Sequence, residues 1–188
     1  PPPGELRVLD LLGESILVAR TREGKLAAHY NVCRHRGARL CPGDAATATI
    51  RCPYHAWTFK LDGALLSIPL KKGYDDTGFD TCEASGGMAP VGAVHVHRGF
   101  VFCRLNCDGD SFDAYFGESM STIDNMVDRA PEGRVEVAGG VLRYMHHCNW
   151  KMLVDNQTDT CHPMVAHESS AGTAVKVWSG VPPGTPKP

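Results

Sequence analysis

With 188 residues, 43% of them hydrophobic, the chain is long enough to bury a core and suits one large domain or two small ones. A formal net charge of -2 and a pI near 6.5 leave no basic field for a polyanion, and no Lys/Arg cluster interleaved with aromatics occurs, which excludes nucleic acid as a partner. Apolar runs such as Val101–Cys103 fall far short of the ~20 residues that cross a bilayer, so no membrane span is expected.

In chain order, short strand-like runs come first: Leu6–Leu12, Ser15–Ala19, Leu26–Val32, Thr47–Arg51, Trp57–Leu61 and Val94–Arg104, separated by Gly, Pro and Asp turns. They predict a small β-sandwich, with the Gly-, Ala- and Pro-rich stretch Glu83–Gly92 as a loop inside it and Asn106–Ser111 as its closing turn. From Phe112 the spacing becomes helical: Phe112, Tyr115, Phe116, Ser119, Ile123 and Met126 predict a helix that packs one face on the sandwich and stops by Pro131. Arg134–Met145 returns to strand character with a break at Gly139 and Gly140, and a second helix is expected from Trp150 to His162, where Pro163 interferes. The chain opens on Pro1-Pro2-Pro3-Gly4 and closes on a Pro-rich stretch, so both ends read as cut points inside a longer protein.

Eight cysteines spread over a mid-sized chain favour reduced thiols and a cytoplasmic location. Two of them belong to a first constellation. Cys33-Arg34-His35 is a C-x-H pair, and Cys52-Pro53-Tyr54-His55 is a C-x-x-H pair. Such a set holds either a tetrahedral zinc ion or a two-iron cluster with both thiolates on one iron and both imidazoles on the other, which raises the potential above that of an all-Cys cluster. The surrounding residues, Arg36-Gly37-Ala38-Arg39-Leu40 and Ala56-Trp57-Thr58-Phe59, resemble the cluster loops of the Rieske non-haem iron oxygenases. Ala38 and Tyr54 stand where the cytochrome-complex branch of Rieske proteins carries its extra cysteines, so the resemblance is to the lower-potential branch. Ala56 departs from the family's usual Gly. Trp57 and Tyr54 are expected to shield the cluster.

The second constellation lies in Asn149–His167. An Asn149-Trp150-Lys151 opening, an acidic-Asn pair (Asp155, Asn156), then Asp159-x-x-His162 and a second His167 resemble the mononuclear-iron helix of the oxygenase α subunits. Asp155 replaces the frequent Glu, and Gln157 a usual aromatic. On an unbroken helix Asp155 and His162 nearly eclipse and Asp159 shares their face, whereas His167 needs a bend, which Pro163 supplies. Two imidazoles and one carboxylate form the facial set of non-haem Fe(II) oxygenases. The only acidic residue after His167 is Glu168, so the resemblance places the third ligand, an Asp, downstream of this chain. It also implies that Asp159 hydrogen-bonds His162 and reaches His55 of a neighbouring subunit, linking the two metal centres.

The resemblance implies a mainly β Rieske domain over residues 1–110, a connecting helix region over 111–133 and the start of an α+β catalytic domain over 134–188. It implies an oxygenase component that relays electrons from a Rieske 2Fe-2S cluster to a mononuclear Fe(II), activates O₂ and hydroxylates or oxidatively dealkylates an organic, typically aromatic, substrate. Asp155, Asn156 and Asp159 are the candidate catalytic residues. Electrons would come from NAD(P)H through a reductase, with or without a ferredoxin, and the assembly would be a homotrimer or an α3β3 complex. The 188 residues alone are expected to hold the cluster without turnover. The alternative is an electron-transfer module of the Rieske ferredoxin kind, which needs only the first constellation. His95 and His97 share a strand face and read as an exposed face rather than a metal pair. Cys41, Cys82, Cys103, Cys107, Cys148 and Cys161 read as small hydrophobes, and His29 has no assigned role.

Overall fold

A computed structural model of the chain describes residues 1–11, 13–77, 86–137, 139–140, 142 and 144–182. Two compact units result, Pro1–Glu136 and Val137–Pro188.

The first unit is built around one strand. In β2 (Glu14–Arg20) the consecutive residues Ile16, Leu17, Val18 and Ala19 are all buried, which requires cover on both faces. β2 lies between β1 (Glu5–Leu11) and β3 (Leu26–Tyr30), and β4 (Ala45–Ala46) extends the antiparallel sheet beyond β1 in the order β3-β2-β1-β4. Leu6, Leu17 and Ala19 point to one side and pack with Ile50, Phe59, Leu61 and Leu65 from a second sheet, β5 (Thr49–Arg51), β6 (Thr58–Lys60) and β7 (Leu65–Ser67). Ile16, Val18 and Ala28 point to the other side, where Val91, Val94, Cys103 and Leu105 cover them. Each large aliphatic side chain taken fully out of water contributes about 1.5–3 kcal/mol, so Leu6, Ile16 and Leu17 anchor the sandwich from its central sheet.

The run Val94–Arg104 is a hairpin, β8 (Ala93–His97) and β9 (Phe100–Arg104), rather than a single strand. Arg98 and Gly99 turn it with φ of 50° and 91°, the two left-handed residues that a tight hairpin needs. The face carrying His95 and His97 is half-buried at the two histidines rather than exposed. His95 stacks on Phe112 at 3.7 Å and His97 Nε2 lies 2.7 Å from Asp124 Oδ1, because the following helical segments lie over this face. Those segments replace the single expected helix with α1 (Phe112–Phe116), a 3-10 turn at Gly117–Met120 and α2 (Ser121–Asp128). Gly117, at φ 49°, breaks the run. Phe112 and Phe116 still meet Phe102 as the helical spacing requires.

The expected strand over Arg134–Met145, which runs from the end of the first unit into the second, does not form among the described residues. Val137, Leu142, Tyr144 and Met145 are exposed and pair with no other strand, and a strand character without a partner has no ladder to join. The helix from Trp150 ends at Thr158 (α3), earlier than expected. A short α4 (His162–Ala166) and α5 (Glu168–Ser179) follow. Pro163 sits in the first turn of α4, where its missing N–H costs nothing, and the bend falls at Asp159–Cys161 instead. Cys107, Cys148 and Cys161 are exposed rather than packed; Leu12, Cys82 and residues 83–85 lie outside the described residues.

Candidate metal centres

The two cluster loops are built alike. In the first, Cys33 N–H donates to the Ala38 carbonyl and Gly37 N–H to the Cys33 carbonyl, both at 2.8 Å; in the second, Cys52 N–H donates to the Trp57 carbonyl at 2.8 Å and Ala56 N–H to the Cys52 carbonyl at 3.1 Å. Each loop is closed at the same place by a left-handed residue, Gly37 at φ 71° and Ala56 at φ 55°. The histidine stands one position later in the second loop. A local repeat that the sequence hides thus presents Cys beside Cys and His beside His.

The two sulfur residues are buried, Cys33 at 1% and Cys52 at 3% exposure, inside the core cluster with Leu40, Trp57 and Phe59. Burial pushes the Cys33 thiol up, the backbone N–H groups of His35 and Arg36 pull it the other way, and the facing Cys52 raises it again. Without metal the Cys33 thiol therefore keeps its proton, and binding a cationic centre releases it while those amides support the thiolate. His35 and His55 have ring centroids 4.7 Å apart at 70°. Burial, then His55 and Arg36, hold His35 below the usual imidazole range, which favours a neutral donor. The donors come as pairs, Cys33 facing Cys52 and His35 beside His55. Thiol beside thiol and imidazole beside imidazole is the split that a two-iron Rieske cluster uses.

Packing fixes the rings. Trp57 stacks on His35 at 5.0 Å with parallel planes, 1° apart. Tyr54, though 63% exposed, lies 3.9 Å from the His55 ring. Two contributors were missed in the sequence. Asn31, 3% exposed, donates to Ser15 Oγ and the Cys41 carbonyl and accepts from the Leu40 and Cys41 amides, which ties the far end of the first loop to β2. Its place between a strand and the first cysteine was the available signal. Tyr74 reaches His35 from outside, its hydroxyl 3.5 Å from Nε2. His29 also gains a role in the scaffold: it is 7% exposed, lowered by desolvation, and packs so closely on Gly63 that a Cβ there would lie 2.0 Å from its Nε2.

In the second unit, Asn149 caps α3, its side chain accepting from Lys151 N–H at 3.0 Å, which gives the Asn-Trp-Lys opening a structural reason. Asp159 ends the helix in an extended conformation and spends both carboxylate oxygens: Cys161 N–H donates to one at 2.7 Å, and His162 Nδ1 lies 3.2 Å from the other. The Cys161 amide is the main cause that holds the Asp159 carboxyl below its usual range. The Asp159 to His162 contact is therefore made across a turn, not along a helix face. His162 and His167 rings approach to 5.5 Å at 72°. Asp155 and Asn156 stay exposed on α3, and no hydrogen bond or ion pair among the described residues joins their side chains to either histidine. The expected eclipse of Asp155 with His162 is lost because the helix stops before His162.

Residues 1–80 match the sequence profile of the Rieske [2Fe-2S] domain. Over 165 residues the chain is 39% identical to the α subunit of toluate 1,2-dioxygenase from Pseudomonas putida, covering 85% of this chain and 35% of that protein. It is 31% identical over 177 residues to the large subunit of 2-halobenzoate 1,2-dioxygenase from Burkholderia cepacia, covering 91% of this chain and 37% of that one. The structure superposes on the quaternary ammonium Rieske monooxygenase CntA in complex with L-carnitine with a TM-score of 0.74 at 30% identity, covering 90% of this chain and 46% of that one. For naphthalene 1,2-dioxygenase from Rhodococcus sp. bound to indole the values are 0.72 and 29%, covering 97% and 40%. The chain thus spans between a third and a half of the length of these relatives.

Proposed function

The chain belongs to the Rieske non-haem iron oxygenases, matching the N-terminal and central portion of their α subunits, and on that premise we propose that Cys33, His35, Cys52 and His55 hold a 2Fe-2S cluster while His162 and His167 hold a mononuclear Fe(II). The observation that carries this reading is the pairing of donors, a buried thiol pair behind an imidazole pair. When bound, the cluster supplies one-electron transfer and the Fe(II) supplies O₂ activation. The chain's own residues do the rest. The His35 and Arg36 amides support the Cys33 thiolate, Trp57 and Leu40 keep water from the sulfur side, and Asp159 accepts from the His162 ring nitrogen and so fixes the ring that faces the iron.

The third iron ligand, a carboxylate, belongs outside these residues, and domain limits near 110 and 134 separate the electron-relay part from the start of the catalytic part. In the whole protein the reading is an oxygenase that inserts oxygen into an organic, aromatic substrate; relatives named for toluate and 2-halobenzoate support an aromatic carboxylate. Electrons come from NAD(P)H through a reductase or ferredoxin, the assembly is a homotrimer or α3β3 complex, and Asp159 reaches His55 of a neighbouring subunit. No helix among the described residues is long and apolar enough to cross a membrane, and a cytoplasmic site accords with the free cysteines. The test is composition and spectroscopy of anaerobically purified protein. Sulfide with at least an equal amount of iron, the excess being the mononuclear Fe(II), and a paramagnetic signal on reduction whose average g lies below that of an all-Cys cluster, are expected. Zinc without sulfide would end the reading.

A further inference from the structure

Tyr74 is brought to His35 by a short segment with an unusual backbone. A 3-10 turn, Lys71–Tyr74, is entered through Leu70 at φ 54° and ψ 37° and followed by Asp76 at φ 61°. Both are non-glycine residues in the left-handed region, and Leu70 is 89% exposed, so no burial of its own side chain compensates. Strain of this kind persists only where surrounding contacts over-determine the backbone. Here those contacts converge on one side chain. Tyr74 is the only residue of 71–77 that is not exposed, it packs against the same core cluster as Cys33 and Cys52, and Thr77 N–H and Oγ1 both donate to its carbonyl. Its ring stands edge-on to His35 and to Trp57, each with centroids 6.3 Å away. Its hydroxyl lies 3.5 Å from His35 Nε2, at the outer limit of a hydrogen bond.

We propose that Tyr74, held in place by the strained turn Leu70–Asp76, is a positioning residue that fixes the His35 ring from the outer side while Trp57 fixes it from beneath. The proposal rests on the reading of His35 as a cluster ligand and deepens it. A ligand imidazole has one ring nitrogen on the metal and the other free to donate, and an acceptor for that second N–H both sets the ring plane and makes the ligand more electron-rich. Trp57 restrains tilt but leaves rotation within its plane open. Tyr74 closes that rotation. His55 has no such partner among the described residues' hydrogen bonds, only the exposed Tyr54 ring beside it, so the two imidazoles are held unequally.

The test compares Tyr74→Phe, which keeps the ring and removes the hydroxyl, with Tyr74→Leu, which removes both, and with Tyr115→Phe at a distant exposed tyrosine as the control. Cluster-loaded protein is measured at one pH for midpoint potential, for nitrogen hyperfine couplings of the reduced state, and for cluster half-life in the presence of an iron chelator. Tyr74→Phe should keep full iron and sulfide, change one nitrogen coupling and leave the other, and raise the midpoint potential, because the ligand loses its acceptor. Tyr74→Leu should in addition broaden the signal and shorten the half-life several-fold. Wild-type values in both Tyr74 variants, or equal shifts in Tyr115→Phe, would overturn the proposal. So would loss of the fold in Tyr74→Phe by circular dichroism, since a hydroxyl that only orients a ring is not needed for folding. Failure of the ligand reading shows separately, as wild-type protein with a 2Fe-2S cluster but no nitrogen couplings, or with no cluster.

Discussion

Because the two cluster loops close through the same hydrogen bonds but one ends on Gly37 and the other on Ala56, exchanging those residues should move stability in opposite directions. Ala56 sits at φ 55°. A left-handed conformation costs a residue with a Cβ about 1–2 kcal/mol, while glycine loses about 0.5–1 kcal/mol more chain entropy on folding than alanine. The difference leaves Ala56→Gly stabilising by roughly 0.5–1 kcal/mol. Gly37→Ala is the mirror experiment: its φ is 71° and a Cβ there meets nothing within 4 Å, so only the backbone cost of similar size is incurred, with the opposite sign. For a unit of this size the midpoint should rise by about 2–5 °C in the first variant and fall by as much in the second. Calorimetry on cluster-loaded protein under anaerobic conditions reads both. Shifts of the same sign, or a lower midpoint for Ala56→Gly, would refute the claim that the loops are conformational equivalents.

Gly63→Ala should be far more damaging than Gly37→Ala, because the new methyl would lie 2.0 Å from His29 Nε2 on a backbone already at φ 88°; a strong fall in soluble yield and melting midpoint is expected, and a midpoint near wild type would show that the β6–β7 turn can shift. The same histidine predicts a pH dependence. Desolvation holds His29 below its unfolded value of 6.5, so the unfolded chain binds more protons between the two values; stability is full above about pH 6.5 and is lost as pH falls through the depressed folded value. Urea midpoints across that range should slope less in His29→Gln, and an unchanged slope would remove His29 as the source. If the whole protein is the oxygenase proposed above, Asp159→Asn should keep cluster and iron but slow electron transfer between them at least tenfold, since Asn keeps the shape without the charge that orients His162; single-turnover oxidation of the reduced cluster at the wild-type rate would show that Asp159 does not couple the centres.

What the sequence made legible was whatever depends on local pattern. The alternation and apolar runs of Leu6–Tyr30 located β1 to β3, and Cys33, His35, Cys52 and His55 stood out as a candidate metal set whose likeness to Rieske cluster loops rests on the residues around them, not on spacing. What escaped depends on how distant segments meet. Tyr74 lies in a turn with no periodicity, and it meets His35 through tertiary packing that includes its contact with Trp57. The likeness of the two loops was hidden because their histidines differ by one position, while the shared features are backbone hydrogen bonds that leave no residue signature. His95 and His97 were misjudged since alternation tells which residues share a face but not what covers it. The helix from Trp150 was drawn too long for a related reason: Pro163 signals a break, yet the break settled where Asp159 could cap the preceding turn and bind the Cys161 amide.

Solvent exposure is graded across the four cluster donors, from Cys33 and Cys52, sealed in the core, through half-buried His35 to exposed His55. Charge that arrives at or leaves such a centre is felt unequally by the two sides. The sulfur wall, lined by Leu40, Trp57 and Phe59, has few dipoles to rearrange, so changing the oxidation state there costs little reorganisation. The imidazole side is the short route for tunnelling, whose rate falls steeply with distance. On the proposed ligand assignment, electron donor and electron acceptor would both work through the same rim of the domain, and the first unit would behave as an electrode insulated on its back.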